Sequence, residues 1–163
     1  MLIGVISDTH AYLDPRVAPA FSGVDAILHA GDVCSTVVLD GLRAMAPLYA
    51  VQGNNDAPLG GLGLPQHLDL EIEGVALHLV HELPHARPRH DTRCIVYGHS
   101  HRAVSEWRGD VLHLNPGAAG RSGFHVLQTV ALLRIEGGAV SAEIVTLGPR
   151  EKLTASSRMR SRL

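Results

Sequence analysis

Leu2-Ile3-Gly4-Val5-Ile6-Ser7-Asp8-Thr9-His10 is the stretch on which the reading of the chain turns. An apolar run without polar alternation is the pattern of a strand buried on both faces, and here it stops abruptly at polar residues. Two further strands are predicted downstream. Residues 25–29 form an apolar strand halted by Ala30-Gly31-Asp32, and residues 48–51 form another that ends at Gly53-Asn54-Asn55-Asp56. Between the first two strands, residues 15–21 are predicted as a short helix with Asp14 as N-cap and Pro15 at its first position. Between the second and third, Ser35 or Thr36 caps a helix carrying Val38, Leu39, Leu42 and Met45 at helical spacing, stopped by Pro47. Strand, helix and strand with short connections describe a parallel β-α-β opening.

Beyond the glycines at 60, 61 and 63, strands are predicted at 67–72, 75–80, 94–97, 103–107, 111–114, 130–136 and 139–147. The pairs 67–72/75–80 and 130–136/139–147 are joined at Glu73-Gly74 and Gly137-Gly138, so this half reads as mostly hairpins with little helix after residue 46. The expected fold class is α/β, mixed α and β. Its domain is residues 1–150, and residues 151–163 form a basic, frayed tail with Arg158, Arg160 and Arg162.

The 163 residues suffice for one domain with a substantial core, and 45% hydrophobic against 18% charged residues excludes a disordered chain. No apolar run approaches the ~20 residues of a membrane-spanning helix, and the opening strand lacks the basic flank of a signal peptide. Cys34 and Cys94 stand far apart, which argues against a disulfide framework or zinc knuckle and for a reducing, cytoplasmic setting. A net charge of −2 demands no polyanionic partner. Eleven histidines are many for this length.

The polar clusters all follow predicted strands: Asp8-Thr9-His10, Gly31-Asp32, Gly53-Asn54-Asn55-Asp56, His81, and Gly98-His99-Ser100-His101. In a layered α/β fold, strand ends on one edge line a common crevice. Converging carboxylates would repel, and converging imidazoles would lack hydrogen-bond partners. Two divalent cations resolve both problems, since carboxylate and imidazole suit manganese, zinc, iron, cobalt or nickel. Alternation in Asp8-x-His10 and His99-x-His101 lets both members of each pair face one site. Glycines 31, 53 and 98 allow the close backbone approach such loops need.

These blocks, D-x-H, G-D, G-N-x-D, a lone His after a strand and G-H-x-H, occur in the order that marks the calcineurin-like metallophosphoesterases. The chain resembles their small bacterial and archaeal phosphodiesterase branch, and Asn115-Pro116-Gly117 resembles that family's N-P-G-S loop. The resemblance implies a four-layer-type sandwich of two mixed β-sheets flanked by helices, with few helices in the second half. It implies that Asp8, His10 and His101 hold a first metal, that Asp32 bridges, and that Asn54, His81 and His99 complete a second. It implies manganese or a similar ion, and a hydroxide between the cations attacking phosphorus in line.

Two departures bear on activity. Asn55 stands where many relatives carry a histidine; it can hydrogen-bond the leaving group or the phosphate but cannot protonate it near neutral pH. Ala118 replaces the usual Ser after N-P-G. Taken singly, His29, His67, His78, His85, His90, His113 and His125 read as packing, surface or supporting residues, and Cys34 as a small buried one. Arg121 reads equally as a phosphate contact or a loop arginine. The expected activity is hydrolysis of a small phosphate ester, a diester or also a monoester. The alternatives are a non-catalytic protein-interaction scaffold on the same fold, or a nuclease. The missing basic stripe argues against nucleic acid, no membrane partner is expected, and a homo-oligomer is compatible with the sequence.

Overall fold

A computed structural model describes residues 1–151; the predicted basic tail, apart from Glu151, lies outside the described residues. The strands are β1 (Leu2–Ile6), β2 (Ala26–His29), β3 (Leu48–Ala50), β4 (His67–Ile72), β5 (Val75–Val80), β6 (Thr92–Val96), β7 (Ala103–Arg108), β8 (Val111–Pro116), β9 (Leu127–Glu136) and β10 (Ala139–Pro149). They form two five-stranded sheets, ordered β10-β9-β1-β2-β3 and β4-β5-β6-β8-β7. Both sheets are mixed, so the expected α/β class and two-sheet sandwich are what the chain adopts.

Period-two alternation assigns each strand's side chains to one layer or the other. Ile3 and Val5 of β1 join Leu28, Leu77, Leu79, Val96, Leu114 and Leu133 in the core between the sheets. Ile6 faces the opposite way, into a second core with Ile27, the helical residues Val17, Leu39 and Leu42, and Phe21 just past the first helix. Gly4 belongs on that outer face because Phe21 lies where its Cβ would be, 2.9 Å from the ring.

Helix α2 (Thr36–Arg43) is capped as expected, Ser35 Oγ accepting the Val37 N–H at 3.2 Å; it ends before Met45. Helix α1 (Val17–Ala20) is shorter than predicted and has Arg16, not Asp14, at its N-cap. Burial of the Asp14 carboxylate explains the difference. It accepts from the Arg16 backbone N–H and guanidinium and from Gln128 Nε2, so it anchors the turn before the helix.

The predicted hairpins at Glu73-Gly74 and Gly137-Gly138 form, and the second sheet adds parallel pairing to them. β4–β5, β7–β8 and β9–β10 are antiparallel, but β5, β6 and β8 run parallel to one another. The all-buried β5 sequence is the pattern of such a strand. The consequence is topological: β1, β2 and β3 in one sheet and β5, β6 and β8 in the other present their C-terminal ends at one edge. Both helices cover the first sheet, while Leu83 and Ala86 of the 82–91 segment pack on Val80, Ile95 and Tyr97 of the second. That segment carries one 3-10 turn, Leu83–His85. No helix among the described residues is long and apolar enough to cross a membrane.

Candidate metal centre

Each polar cluster sits on the loop leaving one of those six strand ends, and backbone bonds lock the loops together. The Asp8 N–H donates to Gly31 O (3.0 Å), the His10 N–H to Asp32 O (3.0 Å) and the Gly98 N–H to His81 O (2.9 Å). The two sheets meet where the His99 N–H donates to Asp8 Oδ2 (3.1 Å) and His81 Nδ1–H to Ala30 O (2.7 Å). Glycine is required at the closest approaches. A Cβ on Gly53 would lie 2.2 Å from Asp32 N, and one on Gly98 2.0 Å from Ser7 Oγ.

Backbone strain is concentrated here. Asp8 (φ 54°), His10 (46°), Asp32 (56°), His99 (68°) and His101 (57°) all adopt the left-handed region. Asp and His tolerate it better than most residues, yet such conformations persist only where surroundings dictate them, and they cluster at functional sites.

The side chains form two overlapping groups whose ligating atoms lie within 4.8 Å of one another: Asp8, His10 and His101, and Asp8, Asp32 and His81. Asp32 Oδ2 lies 3.5 Å from His81 Nε2 of its own group and 3.8 Å from His10 Nε2 of the other. Asp8 is common to both groups. Asn54 Oδ1 adjoins the second, 3.0 Å from His81 Nε2. The His99 side chain stands farther out: it is half exposed, its Nδ1 lies 3.1 Å from Asn54 Oδ1, and its ring packs edge-on against His81 with centroids 5.2 Å apart. Asn55 gives its backbone N–H to Asp32 Oδ1 (2.8 Å) and a side-chain N–H to Asp32 Oδ2 (2.6 Å), leaving one amide hydrogen for a ligand.

The donor set fits cations. Asp8 is fully buried, and its Oδ1 has no hydrogen-bond partner, although His101 Nε2 is 3.3 Å away. Because His81 donates Nδ1–H to Ala30 O, its neutral form points the Nε2 lone pair at the carbonyl oxygen Asn54 Oδ1: acceptor faces acceptor. An orphaned carboxylate oxygen and inward-facing lone pairs are what a divalent cation would satisfy. Burial pushes the Asp32 carboxyl up, but His81, which can donate Nε2–H to it only in its protonated form, and the Asn55 hydrogen bonds outweigh burial and hold the group below the usual carboxylate range. In the metal-free site burial lowers the His81 pKa, but the Asp32 and Asp8 carboxylates outweigh it and raise the value. For His10, burial lowers the pKa and outweighs Asp32 and Asp8, favouring the neutral, ligating form.

Several supporting residues were only partly visible in the sequence. Asp56, fully buried, clamps two loops by accepting from the Gly53 N–H (2.8 Å), Cys34 N–H (2.6 Å) and Val33 N–H (3.3 Å). Asn115 ties the N-P-G loop to the Gly98 loop, donating to Gly98 O (2.9 Å). Cys34 is not a buried packing residue: it is half-buried, with Sγ 3.9 Å from His10 Nδ1. Arg121 covers the Tyr12 ring, its guanidinium carbon 3.5 Å from the centroid, and donates to Glu151.

His29 acts through the backbone, its Nδ1 accepting the Gly31 N–H and its Nε2 at 3.0 Å from Thr9 Oγ1. Complete burial pushes its pKa down to about 4. Between pH 6.5 and 4 the unfolded chain therefore binds more protons than the native one. This contribution is fully present above pH 6.5 and declines as pH falls, by about 3 kcal/mol across the window. Urea titrations of the metal-free protein at several pH values should show that decline, with a flatter slope in His29→Gln.

Cavities flank the centre on two sides. One of about 410 Å³ is lined by Gln52, Asn54, Gln66, His67, His81 and Glu82. The other, about 500 Å³, is lined by His10, Asn55, His99, Arg102, Ser122 and Phe124.

Comparison with known proteins places this geometry in a family. The sequence profile of the calcineurin-like phosphoesterase superfamily domain matches residues 1–138. A probable metallophosphoesterase of Methanothermobacter thermautotrophicus is 36% identical over 165 aligned positions, covering 91% of this chain and 94% of that protein. A phosphodiesterase of Methanocaldococcus jannaschii is 28% identical, covering 72% of this chain and 83% of that protein. The fold is shared with Vps29 of Chaetomium thermophilum, with a TM-score of 0.72 at 20% identity, covering 91% of this chain and 97% of that one.

Proposed function

This chain belongs to the calcineurin-like phosphoesterase superfamily, and from that premise we propose that it hydrolyses phosphodiesters at a pair of divalent cations. The ligands in this reading are Asp8, His10 and His101 on one side, Asn54, His81 and His99 on the other, with Asp32 between. The observation that carries it is the buried Asp8 Oδ1, without a donor, in the midst of imidazole nitrogens. When bound, the cations supply an activated water nucleophile and Lewis-acid stabilisation of the phosphoryl oxygens.

The chain's own residues do the rest. His81, held by Ala30 O, keeps its Nε2 aimed inward, and Asn55 holds the Asp32 carboxylate with two hydrogen bonds. The remaining Asn55 amide hydrogen steadies the phosphate or the leaving oxygen. Cavities on both sides of the centre give each arm of a diester its own space, and the Methanocaldococcus relative named a phosphodiesterase supports that substrate class. Manganese is the preferred ion in this reading. The free thiols of Cys34 and Cys94 agree with a reducing, cytoplasmic setting.

Because Asn55 cannot donate a full proton, rate should follow leaving-group acidity. Aryl phosphodiesters are expected to turn over at least about 10²-fold faster than alkyl ones, the range a general acid contributes. Metal analysis and kinetics on both ester classes, with Mn²⁺, Ni²⁺, Co²⁺, Fe²⁺ and Zn²⁺ in turn, test this. Equal aryl and alkyl rates would overturn the role of Asn55. Stoichiometric metal without hydrolysis of any ester would favour a scaffold.

A further inference from the structure

His125 lies outside every motif of the centre, on the loop after the N-P-G turn, yet its ring reaches His101. His125 Nε2 lies 3.0 Å from Gly120 O, and a carbonyl can only accept, so Nε2 carries the hydrogen. In the neutral ring Nδ1 is then an acceptor, and it faces His101 Nδ1 at 3.3 Å. His101 must therefore hold its hydrogen on Nδ1, which leaves the Nε2 lone pair directed toward Asp8 Oδ1 and His10 Nε2, each 3.3 Å away. We propose that His125 is a positioning residue: with Gly120 O it forms a relay that fixes the tautomer and ring orientation of His101 for metal binding. The role toward metal rests on the function proposed above; the tautomer itself does not.

Two further features indicate that the arrangement is built. A Cβ on Gly123 would lie 2.3 Å from His101 Nδ1 and 3.1 Å from His125 Nδ1, so only glycine lets the loop wrap the ring pair. Arg150 then fastens that loop, its guanidinium donating to His125 O (2.9 Å) and Arg121 O (2.9 Å), and its N–H to Val126 O (2.8 Å). The Gly120 N–H donates to Asp8 O at 3.0 Å, so the relay's fixed end is tied to a ligand-bearing loop. Partners that orient a ligating histidine are typically worth 10–100-fold in metal affinity.

The test begins with ¹⁵N NMR of the metal-free wild-type protein at pH 8. The relay requires His101 as the Nδ1–H tautomer and His125 as Nε2–H; His101 found as Nε2–H overturns it. Mn²⁺ titration by calorimetry then compares His125→Leu with His125→Asn, whose amide oxygen can replace the Nδ1 acceptor. The leucine variant should lose the His101 tautomer preference and bind Mn²⁺ about 10–100-fold more weakly, with the asparagine variant within about threefold of wild type. Unchanged tautomer and affinity in His125→Leu would overturn the positioning role. A wild-type protein that shows the expected tautomers but binds no Mn²⁺ would support the relay and defeat the metal reading.

Discussion

Asp8→Asn is expected to lower kcat/KM on an aryl phosphodiester by about 10³-fold, since it takes a charged ligand common to both groups of the centre and each factor of ten is about 1.4 kcal/mol. The same substitution should make the metal-free protein more stable. Asp8 Oδ1 is buried without a donor, and an unsatisfied buried charged oxygen costs on the order of 1–3 kcal/mol. An asparagine amide there can donate to His101 Nε2, which lies 3.3 Å from Oδ1. Relief of about 1–2 kcal/mol corresponds to a rise of roughly 2–8 °C in Tm for a chain of this size. Calorimetry in a chelator measures the second effect and steady-state kinetics the first. A metal-free variant that melts lower than wild type would contradict the claim that the cavity is built for cations.

Asp56→Ala should have the opposite profile, a large stability loss from a residue in neither metal-binding group. Its carboxylate accepts from Gly53, Cys34 and Val33 with no exposure to solvent. Charge-assisted bonds to backbone are worth about 1.5–3 kcal/mol each, and truncation leaves buried N–H groups unpaired. A loss of about 4 kcal/mol, or roughly 8–16 °C in Tm, is expected. Asp56→Asn keeps one acceptor oxygen and should recover part of it. Thermal melts of the two variants decide the point; an Asp56→Ala protein as stable as wild type would mean that the loops are held elsewhere.

Local pattern carried the fold a long way. The uninterrupted apolar runs at β1 and β2 marked strands buried on both faces, whereas the edge strand β3 leaves Tyr49 exposed, and Ser35 capped the helix where its side chain could reach Val37 N–H. Strand pairing was less legible. The turns at Glu73-Gly74 and Gly137-Gly138 announce hairpins because their geometry is local, with positive φ at each residue. The parallel pairing of β5, β6 and β8 depends on connections whose path no short motif encodes. It is that pairing which sends His81, Gly98 and Asn115 to the edge shared with Asp8, Asp32 and Asn54.

By itself the sequence named the candidate ligands, because ligand types, glycines and their order along the chain are covalent facts. Only the tertiary structure decided how they divide. It made Asp8 common to both groups, set Asp32 of the second within 3.8 Å of His10 of the first and left the His99 side chain farther out. It turned Asp56 into a backbone clamp and drew in Cys34 and His125, which no motif had marked. The reason is physical: a ligand's identity is a property of its residue, whereas its hydrogen-bond partners come from chain segments that meet only on folding.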